Sequence, residues 1–396
     1  MRLPTLGFFA TIIAIDAALH YYLWARLVRD PGWPPPVRIA GLVAIVLLAI
    51  GLPVGVILSR NLPRSWATPI AASAYIWMGT AFYLFIALLA GDVVRALAAG
   101  SHWILGWMGA NREADLARRA LMAGTVAKVA GATAVAASAV ALRSGLGEVD
   151  VKEVGVKLPR LPKALDGLTL VQLSDVHVGP TIGRRFIEGI VEKTNRQKPD
   201  AVVITGDLVD GSVDDLREQV APLAKLAARY GVYFITGNHE YYSGVREWTD
   251  ELRRMGIRVL RNQMAPIGDA NGATIDLLGV DDHLSHELAV EGSGDLLVQM
   301  FGARDPERES ILLAHQPKAI AAAAEAKIGL QLSGHTHGGQ IWPFSGLVAL
   351  TQPYLAGLHR RSDTTQIYVS RGTGYWGPPM RLLAPAEVTK IVLAPT

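Results

Sequence analysis

The 396-residue chain contains no cysteine. That excludes disulfide bridges and thiolate metal ligands, and leaves any metal site to carboxylates, imidazoles and amides. Charge is scarce, at 18% of residues, and the net charge is only +3. No dense basic run is present, so no nucleic-acid partner is expected. No internal repeat occurs, and the only compositionally biased stretch is the alanine-rich segment at 130–142. Half of the residues are hydrophobic, and the excess lies almost wholly in the first 145.

Four apolar stretches fall in that region, Thr5–Leu27, Ile39–Leu58, Ala67–Leu89 and Ala120–Leu142. Each approaches the roughly 20 residues a membrane-spanning helix needs. The fourth is the least apolar, being mostly Ala, Gly and Val. Pro31, Pro34, Pro35 and Pro36 separate the first from the second. Trp24, Trp33, Trp66, Trp103 and Trp107 lie near the proposed ends, where amphipathic rings favour the interface. Residues 1–145 therefore read as an all-α, multi-pass membrane region of about four helices, with membrane lipids as partners. The first connection carries Arg26, Arg29 and Arg38, and the third Arg95, Arg112, Arg118 and Arg119, against Arg60 and Arg64 in the second. The excess of positive charge puts the first and third connections in the cytoplasm and the C-terminal half outside it. Asp16 and His20 sit one turn apart in the first span, where ionisable groups invite a functional reading. Pairing with each other or with a neighbouring helix is the simpler expectation. Lys128, in the fourth stretch, is expected to snorkel to the nearer surface. These three groups are too few for a transport pathway.

From Val149 the texture changes to short β-branched runs alternating with amphipathic segments. Strands are expected at 167–173, 201–205, 232–236, 257–260, 274–280, 311–314, 330–332, 367–370 and 388–393, and helices at 184–196, 214–230, 245–255 and 296–301. The alternation predicts an α/β layered fold for residues 149–396, a length that can bury one core.

Polar clusters stand at the ends of several of these strands: Asp175-Val-His177, Gly206-Asp207-Leu-Val-Asp210, Gly237-Asn238-His239-Glu240, His315, and Gly334-His335-Thr-His337-Gly-Gly. Unpaired carboxylate, imidazole and amide groups are costly to bury, and a shared pair of cations accounts for all of them. Asp175 and His177 can converge on one ion. Asp207 sits where two ions could share its carboxylate. Asn238 offers an amide oxygen, and His315, His335 and His337 add imidazoles. Any one of these is common by chance. Five in this order, each after a strand and with glycine at the turns, are not.

The clusters resemble those of the calcineurin-like metallophosphoesterases, over roughly residues 165–345, with every ligand position filled. The forms Ser-Asp-Val-His-Val-Gly and Gly-His-Thr-His-Gly-Gly-Gln are most similar to a bacterial, membrane-attached branch with an N-terminal multi-span region, which includes enzymes cleaving UDP-diacylglucosamine. The resemblance implies a four-layer αββα sandwich and a place in the cell (inner) membrane. It implies two divalent ions, of Mn, Fe, Zn or Co. Asp175, His177, Asp207 and His337 would hold one, and Asp207, Asn238, His315 and His335 the other. It also implies that His239 faces the substrate phosphate, that Asp210 orients it, and that hydroxide bridging the metals attacks a phosphate ester or pyrophosphate. The membrane anchor points to a lipid-linked or membrane-proximal substrate. The competing expectation is an inactive metal- or protein-binding module on a membrane anchor.

Arg184 and Arg371 are further candidates for substrate phosphate or headgroup binding. Trp342, Phe344, Tyr354, Tyr375 and Trp376 could form an apolar lip, though ordinary packing is the more common role for such residues.

Overall fold

The computed structural model of the chain describes residues 3–107, 116–268, 272–287 and 296–396. It divides into two compact units, residues 1–143 and 144–396.

The first unit is helical: α1 (Leu3–Trp24, continued by a π-helical turn at Ala25–Arg29), α2 (Pro35–Leu58), α3 (Arg64–Trp107) and α4 (Leu116–Gly145). Pro35 and Pro36 occupy the first turn of α2, where a missing N–H costs nothing. Among the described residues, three helices are long and apolar enough to cross a membrane: Pro35–Leu58, Arg64–Leu97 and Ala120–Gly145. Ile39, Leu47, Val94 and Val135 point outward, while Ala71, Ala81, Ala134 and Ala141 are buried. That is the pattern of helices packing through small residues in a lipid solvent.

The third helix runs well past the expected Leu89. Asp92 makes this possible, because its carboxylate accepts from Tyr22 Oη (2.8 Å) and Arg26 Nε (2.9 Å) and is also bonded by Arg95. His20 and Asp16 pair at 3.2 Å, and Trp77 of α3 donates to His20 Nε2 at 2.9 Å, so this pair is part of the helix packing; α1, expected as the first span, is not one of the three candidate spans among the described residues. Lys128 stands over the Trp33 ring, 5.5 Å from its centre. Arg112 of the third connection, and the side chains of Trp103, Trp107, Arg118 and Arg119, lie outside the described residues.

The second unit is a sandwich of two six-stranded sheets. Its strands are β1 (Asp150–Leu158), β2 (Thr169–Leu173), β3 (Ala201–Thr205), β4 (Val232–Ile235), β5 (Arg258–Val259), β6 (Gln263–Gly268), β7 (Thr274–Gly279), β8 (Ser310–Leu313), β9 (Leu330–Ser333), β10 (Gly357–Arg360), β11 (Gln366–Val369) and β12 (Glu387–Pro395). One sheet has the order β1-β12-β2-β3-β4-β5, the other β10-β11-β9-β8-β7-β6. The central strands β2, β3 and β4, and likewise β8 and β9, are parallel.

Period-two alternation divides each strand between two cores. Leu170, Val203, Tyr233, Leu277, Leu313, Leu332 and Tyr368 meet between the sheets. Val171, Leu173, Ile204 and Phe234 face the other way, under Ile187, Ile190, Trp248 and Leu252 of the helices Arg184–Arg196 and Val245–Arg254. Leu278, Leu312, Ile367 and Val369 face outward under Met300, Ile320 and Ala323. Helix, sheet, sheet and helix thus form the four layers. The expected helix at 214–230 stops at Val220 and tightens to a 3₁₀ segment at Ala221–Lys225, because Pro222 cannot continue an α-helix.

Candidate metal centre

The C-terminal ends of β2, β3 and β4 from one sheet and β8 and β9 from the other meet at one rim, where the polar clusters converge. Asp175, His177, Asp207, His335 and His337 all have positive φ, between 51° and 72°. Non-glycine residues hold that conformation at a cost of about 1–3 kcal/mol each. Packing between the loops is correspondingly tight: a Cβ on Gly334 would fall on Ser174 Oγ and Asp175 Oδ2.

The donors gather in two adjoining groups. In the first, His177 Nε2 lies 3.0 Å from His337 Nε2, and His337 Nε2 lies 3.5 Å from Asp175 Oδ1. In the second, His315 Nε2 is 3.1 Å from Asp207 Oδ2 and 3.2 Å from His335 Nδ1, which is 3.1 Å from Asn238 Oδ1. Asp207 Oδ2 is also 3.9 Å from His177 Nε2, so it adjoins both.

These spacings suit cations. Nitrogen and oxygen ligands bind first-row metals at about 2.0–2.2 Å, which leaves donors sharing one ion about 3–3.5 Å apart. Asp175 Oδ2 is buried without a hydrogen-bond partner, and such a group is costly to keep unless something else binds it. His315 Nδ1 donates to the Thr205 carbonyl (2.8 Å) and His177 Nδ1 to Asp210 Oδ1 (3.1 Å), which turns both Nε2 atoms inward. Burial opposes a charged His315, but the Asp207 and Asp175 carboxylates hold it well above its ordinary value, so a cation would displace the proton on its Nε2. Burial and the charge of His315 hold His335 down to about 3, and burial with His177 and Arg381 holds His337 well below its ordinary value. Both imidazoles are thus neutral and able to ligate.

His239 stands beside the donors. Its Nδ1 donates to Asp210 Oδ1 at 2.6 Å, and its Nε2 lies 4.0 Å from Asp207 Oδ2. Burial opposes a charged His239, but the bond to Asp210 and the charges of Asp207 and Asp210 prevail and lift it to about 9. Tyr242 and Trp376 flank the ring edge-on, with centroids 5.6 and 5.9 Å away.

Two residues do more than their sequence context indicated. Glu240 is wholly buried and accepts from the backbone N–H groups of Gly237 (2.7 Å), Asp207 (2.9 Å) and Leu208 (2.8 Å), tying the β3 and β4 loops together. Arg381, also fully buried, donates to the carbonyls of Gly374 (2.9 Å) and Ala384 (2.8 Å) and approaches those of Gly372 (3.4 Å) and His337 (3.5 Å). It braces the loop that closes the rim. A cation standing among Met380, Leu382 and Leu383 was its one sequence signal.

Of the two arginines expected to bind phosphate, Arg371 lies against Gly338, beside His337, and pairs with Glu387 at 3.0 Å. The structure does not bring Arg184 to this set. It opens the helix Arg184–Arg196, half-exposed, and bonds Glu188 one turn on (2.9 Å) and the Glu218 carbonyl (3.3 Å).

A four-layered αββα sandwich with paired aspartate, histidine and asparagine donors along one rim defines a metallophosphoesterase-type domain. The calcineurin-like phosphoesterase profile matches residues 168–339. An uncharacterized metallophosphoesterase of Aquifex aeolicus is 34% identical over 245 residues, covering 61% of this chain and 91% of that protein. A transmembrane protein with metallophosphoesterase domain from Danio rerio is 43% identical over 248 residues, 61% of this chain and 57% of that protein. An uncharacterized metallophosphoesterase of Helicobacter pylori is 40% identical over 252 residues, 63% of this chain and 65% of that protein. The chain belongs to the calcineurin-like metallophosphoesterase family. The matched region spans somewhat more than half the length of the last two relatives.

Proposed function

We propose that this chain is a membrane-anchored, dinuclear-metal phosphoesterase that hydrolyses a phosphate ester or pyrophosphate bond of a lipid-linked substrate. The observation that carries the reading is the convergence of Asp175, His177 and His337 beside Asp207, Asn238, His315 and His335, with Asp207 adjoining both sets. Those residues would hold two ions of Mn, Fe, Zn or Co, which the nitrogen and oxygen donors admit. When bound, such a pair neutralises phosphate oxygens and acidifies water.

The remaining work falls to the protein's own groups. His239, protonated at neutral pH and aimed by Asp210, is placed to donate to a phosphate oxygen and to give its proton to the leaving group. Rigidly held donors of this kind stabilise charge as it develops, with no reorganisation cost at the moment of reaction. Arg371 is the phosphate-binding arginine in this reading. The catalytic domain lies on the extracytoplasmic side of the membrane, as the arginine distribution favours; activity of a cytoplasm-specific reporter fused after Gly147 would reverse that placement.

The test is hydrolysis of bis(4-nitrophenyl) phosphate by the detergent-purified chain with added Mn²⁺ and with chelator. Metal-dependent turnover is expected. A protein that binds two ions per chain yet turns over neither this diester nor a panel of lipid phosphates would instead be a binding module.

A further inference from the structure

The segment after His337 carries an apolar surface that the catalytic reading leaves unused. Gly339 has φ +79°, and a Cβ there would collide with Ser345, so the helix Phe344–Thr351 is drawn directly against the turn that holds His337. That helix, Phe-Ser-Gly-Leu-Val-Ala-Leu-Thr, has no charged residue and buries none of its side chains. Leu350 is 82% exposed.

The surface continues onto the rim loop. Trp342 N donates to the Leu382 carbonyl (3.2 Å), and Gln340 Nε2 donates to the Trp376 carbonyl (2.9 Å). This brings exposed Trp342, Trp376 and Leu383 alongside the helix. Leu383 holds φ +61° while 78% exposed, a strained backbone spent on presenting a leucine to the surroundings. Contiguous exposed apolar surface of this kind marks an interaction site.

The same loop fixes the occupant. Gly145, the last residue of α4, packs so closely on the Pro379–Met380 backbone that a Cβ would clash with it. The helix that ends there is one of the three able to cross a membrane. The apolar surface therefore shares its loop with the first residues of this unit, which follow a candidate span directly in sequence. Leucine with tryptophan, free of acidic groups, is the composition of elements that lie in the membrane interface.

We infer that the helix Phe344–Thr351, with Trp342, Trp376 and Leu383, is immersed in the lipid interface and holds the metal-site rim at headgroup depth. Trp376 spans the two regions, since its ring also meets His239. The phosphate would then be reached from the bilayer side, with the acyl portion of the substrate remaining in lipid. This deepens the lipid-linked reading above and rests on it, but its test reads depth and not turnover, so the two fail separately.

Because the chain has no cysteine, single labels report cleanly. The full chain carrying Leu350→Cys, Leu383→Cys or Glu192→Cys is labelled with an environment-sensitive fluorophore. It is then reconstituted into phosphatidylcholine/phosphatidylglycerol vesicles with and without lipids brominated near the glycerol end of the acyl chain. Blue-shifted emission and at least twofold quenching at positions 350 and 383, with neither at exposed Glu192, is the expected result. Water-like emission at 350 and 383 overturns the inference. So does a blue shift that bromolipid leaves unquenched, which would mean that a second copy of the chain covers the surface, and so does equal quenching at all three positions.

Discussion

His239 Nδ1 lies 2.6 Å from Asp210 Oδ1, and the same carboxylate oxygen holds His177 Nδ1 at 3.1 Å. One carboxylate thus orients both a candidate metal ligand and the candidate proton donor. Burial alone would raise Asp210, but His177 and His239 pull it well below the usual carboxylate range.

The metal-free protein should show the electrostatic half of this arrangement directly. With its folded pKa raised from 6.5 to about 9, His239 adds stability that is complete below pH 6.5. That stability is lost as pH rises through 9. Ring NMR shifts of His239 should titrate near 9 in the apo chain and return toward 6.5 in Asp210→Asn. Titration near 6.5 in the unmodified chain would refute the pairing.

Metal binding and proton donation should separate by mutation. Asp207→Ala is expected to lose most bound metal, measured by elemental analysis after gel filtration. His239→Ala should keep its metal and lose turnover by about 10²–10⁴-fold, the usual range for a positioned acid. Full activity in either variant would contradict the assigned roles.

Glu240 is a structural clasp. Glu240→Ala would leave the buried N–H groups of Gly237, Asp207 and Leu208 unpaired. A single such orphan costs about 1–3 kcal/mol, so a fall of several degrees in the unfolding temperature is expected, along with loosened metal binding. An unchanged melting curve would show that the loops hold without it.

Gly334→Ala tests the packing behind the donors. A methyl group there meets Ser174 Oγ and Asp175 Oδ2, so the loop must shift. Reduced occupancy of the ion beside Asp175 is predicted, with the far-ultraviolet circular dichroism little altered. Wild-type metal content would mean that the loop yields freely.

Chelation should also be visible as lost stability. Ligands that bind only the folded state stabilise by mass action, so EDTA should lower the unfolding temperature of the metal-loaded chain, and Mn²⁺ should restore it. Identical curves would argue that the donors hold no ion.

Much of the site was legible because the donors follow central strands whose apolar runs admit few alternatives. Ala201–Thr205 and Arg184–Arg196 coincide with the segments read from sequence. The strands not anticipated, β1, β6 and β10, all stand at sheet edges. There one side needs no partner, and residues such as Pro266 in β6 are tolerated. Arg381 carried only the faint signal of a cation among apolar neighbours, and a lone arginine ordinarily denotes surface. Only the folded loop supplies the ring of carbonyls that it binds. Arg184 shows the converse: it follows the first metal cluster in sequence, but it opens a helix in which its guanidinium bonds Glu188.

Each donor set draws on both sheets: Asp175 and His177 follow β2 while His337 follows β9, and Asp207 and Asn238 follow β3 and β4 while His315 and His335 follow β8 and β9. A cation gripped by such a set rivets two halves of the sandwich that the polypeptide completes at different times. Until the later half has docked, neither ion has a full set of partners, so metal acquisition would serve as a checkpoint that only a finished molecule can pass.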